Sequence, residues 1–359
     1  MQLIEKGRLL PGMVLGQDVY NSRHQIVVGK GTVLTESVIN RLQKFSVLRV
    51  FIDDNALSGP AGTNELPSSS RSARVVNTPE FKEFQRSFDN EVKNFRVYIN
   101  EVLLQNDAID THSLYDSMTD LLDNASNTLN AFEMIQSLKR FDDVTYSHSI
   151  NVALLSNIFA RWLGFSEDQI EIATISGLLH DIGKLRISAE IIKKPGRLTK
   201  DEYKKIKEYP QYGYMFLKDK NIDPHIKNAV LLHQERCDGS GYPFSITGDR
   251  IDPFAKIIAI TDVFDAMTSP RVYKEAKSPF EVIELFEKDG YTKFESKYLL
   301  VFLKRVADSY INENVRLNDG TEGRVIFINN HALSRPTLIS GDRIIDLNEM
   351  PELMIKEII

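Results

Sequence analysis

The period at which apolar residues recur shifts repeatedly along the chain, and each shift marks a change of element. From Met13 to Leu34, MVLGQDVYNSRHQIVVGKGTVL alternates apolar and polar residues around Asn21 and Ser22, the pattern of short strands joined by a turn. TESVINRLQKF then takes the three- and four-residue spacing of a helix, and VLRVFI follows as a strand. Residues 1–52 therefore read as a small α+β module. From 53 to 79, DDNALSGPAGTNELPSSSRSARVVNTP is dense in Ser, Gly, Pro and Asn and poor in large apolar side chains, which predicts a flexible linker. Residues 80–141 contain FKEFQRSFDNEVKNFRVYINEVLL and SLYDSMTDLLDNASNTLNAFEMIQSLKRF, both with amphipathic helical spacing. Such helices suit packing on the following domain or on a second copy of the chain. From Asp142 to Asp308 nearly every segment is helical in period. Ser166 with Gln169 and Thr199 with Glu202 form capping boxes there, while Pro210, Pro224 and Pro243 punctuate the helices. Residues 309–359 revert to alternation, with an Asn318–Asp319–Gly320 turn, and read as a small β appendage. The fold class expected is mainly α, with small pieces containing strands at both ends.

Composition narrows the setting. An apolar content of 42% over 359 residues is ample for packed cores. A formal net charge of −6 provides no basic field for a long nucleic acid or an anionic membrane, yet leaves room for a small anionic ligand. Cys237 is the one cysteine, which rules out an intrachain disulfide framework and suits a reducing compartment. MQLIEKGRLLPGM breaks its apolar residues with Glu5, Lys6, Gly7 and Pro11, and no stretch approaches the roughly 20 apolar residues of a membrane helix. A cytoplasmic protein is expected.

The candidate chemistry lies in the helical region. GLLHDIGKL sets His180 beside Asp181, and Gly183 is expected to loosen the helix so that both side chains turn to one point. His148 heads an apolar helix in TYSHSINVALLSNIFARWLG, and IIAITDVFDAMTS places Asp262 and Asp265 among apolar neighbours. A carboxylate so placed is costly to ionise unless a cation or strong donors meet it. Imidazole with carboxylate suits iron, manganese, cobalt or zinc better than magnesium or calcium. In HQERCDGSGYP, Gly239 and Gly241 are expected to permit positive φ and Pro243 to stiffen the exit of a tight loop.

DDVTYSHSINVA, LLHDIGK, KKPGRLTKDEY, HQERCDGSGYP and AITDVFDAMTSPRVY occur in this order, and the chain from Asp142 to Val306 resembles the HD-GYP branch of the HD phosphohydrolase superfamily. The resemblance implies an all-helical metal-binding domain over 142–308 that hydrolyses cyclic di-GMP, to pGpG or on to GMP, in bacterial signalling. It assigns the first metal, iron or manganese, to His148, His180, Asp181 and Asp262, with Asp265 behind them. Asp181 would bridge to a second metal, whose other ligands are histidines in the family; here those positions hold Tyr209, His233 and Gln234. His233 alone makes that second site weak. Val144 stands where three-metal members carry a glutamate, so a third metal is not expected. Phosphate contacts fall on Lys184, Tyr242, Arg271 and Lys274, with Asp181 and Lys184 nearest the chemistry. The alternative is a catalytically degenerate domain that binds a cyclic dinucleotide as a receptor or scaffold. A GGDEF-type cyclase or a second copy of the chain are the protein partners the resemblance suggests.

Overall fold

The computed structural model describes residues 75–123, 128–138, 144–192, 194, 196–269 and 276–359; of the first 74 it describes 2–5, 13–17, 19–20, 26–28, 32, 34 and 49–52. The chain divides into two compact units, Met1–Leu66 and Pro67–Ile359. In the first, β1 (Gln2–Glu5) pairs antiparallel with β4 (Arg49–Ile52), and β2 (Val19–Tyr20) with β3 (Ile26–Val28). Leu15, Leu34 and Val50 are buried there. The helix expected over TESVINRLQKF and residues 53–74 of the expected linker lie outside the described residues.

The second unit opens with α1 (Pro79–Gln105), started by Thr78, whose hydroxyl accepts from Phe81 N at 3.1 Å, and by a proline in the first turn. Its buried residues Phe81, Phe84, Phe88, Val92, Phe95, Ile99 and Val102 form one stripe, as the sequence spacing requires. α2 (Thr111–Asp123) and α3 (Thr128–Ser137) follow, and all three helices pack on α4 (Val144–Leu163). Every residue of α4 from Tyr146 to Ala160 is buried, so α4 is the central helix of this unit. Its interior hydroxyl and amide groups are paired: Ser156 Oγ with Thr261 Oγ1 at 2.9 Å, and Asn157 Nδ2 donating to Thr174 Oγ1 at 3.0 Å.

Around α4 stand α5 (Glu167–Leu179), α9 (Pro224–Leu232) and α10 (Pro253–Thr268), with α9 packed on both of the other two. α6 (Ala189–Ile192), α7 (Lys200–Ile206) and α8 (Tyr209–Leu217) connect α5 to α9. Both expected capping boxes start helices, α5 and α7, and Pro210 and Pro224 sit in the first turns of α8 and α9, where a missing N–H costs nothing. α11 (Pro279–Lys293) and α12 (Ser296–Asp308) complete the helical layer. Phe264 of α10 packs against Phe132 and Phe302, with ring centroids at 6.0 and 5.1 Å. That apolar contact orients α10 so that Asp262 and Asp265 meet α4.

The C-terminal strands β5 (Asn314–Leu317), β6 (Glu322–Asn329), β7 (Ala332–Ser340), β8 (Arg343–Asp346) and β9 (Ile355–Ile358) form an antiparallel sheet in the order β8-β7-β6-β5-β9. Gly320 takes φ +89° in the expected turn between β5 and β6. The sheet is tied to α11 by Glu287, whose carboxylate accepts from Leu333 N at 2.6 Å and from Ser334.

One close approach fixes the region around His180. After α5 the chain enters a 3-10 turn, Ile182–Arg186, and a Cβ on Gly183 would lie 1.9 Å from the Tyr209 carbonyl oxygen and 2.5 Å from Gly213 N. The α-helix does give way here, to the 3-10 turn; Gly183 is not at positive φ, and glycine is required because the main chain of α8 occupies the side-chain position. Gly183→Ala is expected to destabilise the unit by about 2–3 kcal/mol through main-chain displacement, read as a lowered urea midpoint with unchanged slope.

Candidate metal centre

Five helices and one turn deliver side chains to a common point. α4 brings His148, the end of α5 brings His180 and Asp181, and α10 brings Asp262 and Asp265 one turn apart. The end of α9 brings His233 and Gln234, the start of α8 brings Tyr209, and the 3-10 turn brings Lys184. His148 Nε2 lies 3.0 Å from Asp262 Oδ1 and 3.9 Å from Asp181 Oδ2. His180 Nε2 lies 3.4 Å from Asp181 Oδ2 and 3.9 Å from Asp262 Oδ1. The His148, His180 and Asp262 ligand atoms all fall within 4.8 Å of one another, as do those of His180, Asp181 and His233.

The polar accounting around this point is incomplete in a specific way. His180 Nδ1 donates to the Gly177 carbonyl at 2.7 Å, which turns the Nε2 lone pair inward, and Nε2 has no partner. Asp181 Oδ1 is also buried without a partner. Buried polar atoms are ordinarily paired, so two orphaned acceptors aimed at one spot fit a missing cation. The donor set, two imidazole nitrogens and two carboxylates, matches a divalent transition metal. Behind the ligands, Asp265 holds His148 Nδ1 at 2.6 Å and is itself held by Asn151 Nδ2 and Ser269 Oγ, each at 3.0 Å.

Without a metal, positive charge from the protein must balance the carboxylates. Burial lowers the His148 pKa, but hydrogen bonds to Asp262 and Asp265 outweigh it and raise the value to about 9. Burial opposes ionisation of Asp181, yet His180 and the Lys184 ammonium, 2.5 Å away, hold its carboxyl well below the usual range. Asp262 is likewise lowered: burial opposes this, and the hydrogen bond from His148 prevails.

The second metal position is organised differently. Ala229 and Val230 carbonyls accept from His233 Nδ1 at 3.2 and 3.0 Å, so Nε2 is the acceptor, and the Tyr209 hydroxyl donates to it at 2.7 Å. Burial above all lowers His233 to about 3, keeping the ring neutral. Burial and Asp181 push the Tyr209 phenol well up, so it is an un-ionised donor rather than a ligand. Gln234 Nε2 donates to Asp262 Oδ2 at 2.9 Å. The His233 Nε2 lone pair is thus engaged by a phenol, although His233 still stands with His180 and Asp181 in the second cluster of ligand atoms.

Lys184 also lies 4.9 Å over the Tyr209 ring. Tyr242 N donates to the Gln234 carbonyl at 3.2 Å, which draws the GYP loop to the site, and burial followed by Asp181 and Asp262 raises its phenol. Gly239 has φ +79° as expected. Gly241 does not, and that expectation is corrected: a Cβ there would stand 2.4 Å from Glu235 Cα and Arg236 N, so it serves close packing. Val144 is the first residue of α4. Arg271 and Lys274 lie outside the described residues. Sequence reasoning missed Glu235, a buried carboxylate that accepts from Phe244 N at 2.6 Å and Ile246 N at 3.2 Å and so shapes the loop. It also missed Asn151, although a residue three after His148 shares its helix face.

Residues 123–297 match the HD domain family, and that stretch contains every residue of this centre. It is similar to a cyclic di-GMP phosphodiesterase of Pseudomonas aeruginosa, 34% identical over 231 residues that cover 64% of this chain and 55% of the relative. A cyclic di-GMP phosphodiesterase response regulator of Xanthomonas campestris is 35% identical over 165 residues, 45% of this chain and 43% of its own. A 3′3′-cGAMP-specific phosphodiesterase of Vibrio cholerae is 37% identical over 145 residues, 40% and 34% of the two chains. The chain thus spans about half the length of the first two relatives. No helix among the described residues is long and apolar enough to cross a membrane.

A metal needs the neutral ring of His148, whose pKa without metal is raised to about 9. Metal affinity should therefore rise with pH by up to about tenfold per unit below that value. Calorimetry of Mn(II) binding near neutral pH, in buffers of differing ionisation enthalpy, should register release of about one proton. Asp265→Ala should weaken metal binding by about 10–100-fold, measured by competition with a chelator.

Proposed function

We propose that this protein is an HD-GYP, metal-dependent phosphodiesterase that hydrolyses cyclic di-GMP, to pGpG or on to GMP, in bacterial second-messenger signalling. The observation that carries this reading is the convergence of His148, His180, Asp181 and Asp262 on a buried point where His180 Nε2 and Asp181 Oδ1 lack partners. Iron or manganese best matches that donor set. When bound, such a metal supplies Lewis acidity, lowering the pKa of a water and stabilising charge on the phosphoryl group. The remaining work belongs to the protein. Asp265 fixes the His148 ring, and Asp181 stays ionised beside Lys184. The Lys184 ammonium offers further N–H donors to the phosphoryl oxygens as the bond to the ribose 3′ oxygen breaks. Tyr242, with Arg271 and Lys274, binds the phosphates.

The names of the relatives support a cyclic dinucleotide as the substrate class, since cyclic di-GMP and 3′3′-cGAMP both belong to it. Tyr209 and Gln234 favour a second reading, in which the domain binds the nucleotide as a receptor and acts on a partner such as a GGDEF-type cyclase or within a homodimer.

Protein purified anaerobically and supplied with Mn(II) or Fe(II) should convert cyclic di-GMP to linear product on chromatography, and Asp181→Ala should slow this by about a hundredfold or more. Absence of product under every metal condition, with binding retained in calorimetry, would favour the receptor reading. Tyr209→His combined with Gln234→His removes the two groups that close the second position, and should raise both metal content and turnover.

A further inference from the structure

Near Tyr242, the segment from residue 196 to 207 carries five basic and two acidic side chains in a chain whose net charge is −6. Its last residue, Lys207, caps α7. The Lys207 ammonium lies 4.7 Å over the Tyr203 ring and 5.1 Å over the Tyr242 ring. Tyr203 is 53% exposed, Lys207 is half-buried, and Tyr242 reaches inward toward Tyr209, Asp181 and Asp262. The row Tyr203, Lys207, Tyr242 therefore runs from solvent to the site.

What distinguishes Lys207 from the other described cations of this segment is the pair of aromatic faces that hold it. Lys184 is bound to Asp181, and Lys194 to Glu202. Lys207 has no carboxylate within ion-pair distance among the described residues; two aromatic faces hold it instead. A cation held by ring quadrupoles keeps its N–H donors and can meet an anion without first breaking an ion pair. A cyclic dinucleotide presents two phosphodiesters. The one undergoing reaction belongs at the metal centre, and the other needs a separate counter-charge.

We infer that Lys207, held between Tyr203 and Tyr242, is a substrate-positioning residue that takes the phosphodiester not being cleaved, so that this mouth selects substrates with two phosphates. The inference rests on the proposed cyclic-dinucleotide reading and adds to it a residue and a basis for selectivity. The surrounding basic segment would draw the dianion to this edge of the domain, an effect that salt screens.

The test compares wild type, Lys207→Met and Lys207→Arg as metal-loaded full chains. Methionine keeps a long unbranched stem without the charge, and arginine keeps the cation. With cyclic di-GMP, Lys207→Met should raise KM about tenfold, the effect of one lost charge-assisted hydrogen bond, with kcat and metal content unchanged. Lys207→Arg should restore most of the affinity. With bis(p-nitrophenyl) phosphate, which has one phosphate, Lys207→Met should match wild type. An unchanged KM for cyclic di-GMP, or an equal loss on both substrates, would overturn the inference while wild-type turnover leaves the proposed function standing. If wild type binds cyclic di-GMP without cleaving it, calorimetric affinities of the same variants decide the question in place of KM. If wild type neither binds nor cleaves it, the functional reading fails and this inference falls with it.

Discussion

Burying carboxylates is the constraint around which the helical unit is organised. Asp181, Asp262 and Asp265 all lie inside, where an isolated negative charge costs several kcal/mol even after relaxation. The protein meets that cost with His148 between Asp262 and Asp265, Lys184 on Asp181, and a set of smaller donors on Asp265. His148 and Asn151 come from α4 and Lys184 from the turn after α5, so the electrostatic balance holds only when α4, α10 and that turn are docked together. The apolar contacts of Phe264 perform that docking from the far side of α10. Packing and charge thus determine the same arrangement. At the point where a metal fits, His180 Nε2 and Asp181 Oδ1 remain without donors.

The neighbouring position meets the same physical demand by another route. A second divalent cation would have offset further negative charge; Tyr209, His233 and Gln234 instead close a network of neutral hydrogen bonds. In that network the His233 Nε2 lone pair, the one a metal would take, accepts from the Tyr209 hydroxyl. Asp262 is common to both halves, contacting His148 through one oxygen and Gln234 through the other. Changes on one side are therefore transmitted to the other through a single carboxylate.

Much of this was legible in the sequence because the decisive signals are local. His180–Asp181, the capping boxes of α5 and α7, the Asn318–Gly320 turn and the stripe on α1 are each readable within a few residues. The partners of those residues were harder to read. Nothing in a linear pattern shows that Gly183 abuts the main chain at Tyr209, or that Gly241 abuts Glu235; both glycines were therefore given conformational reasons when the reason is space. Glu235 went unnoticed for the same cause: its hydrogen bonds reach across the loop to Phe244 and Ile246, and a charged residue between His233 and Cys237 resembles ordinary surface sequence. β9 pairs with β5 across the sheet, a distant register that alternation alone does not specify.

The contact between Gly183 and the carbonyl of Tyr209 carries a wider implication. Because the backbone at position 209 is pinned by the turn that follows Asp181, the location of that residue does not depend on its side chain. The fold provides a socket whose place is set by main-chain packing, and the phenol plugged into it donates to His233. What occupies the socket can therefore change in chemistry while the scaffold that positions it stays the same.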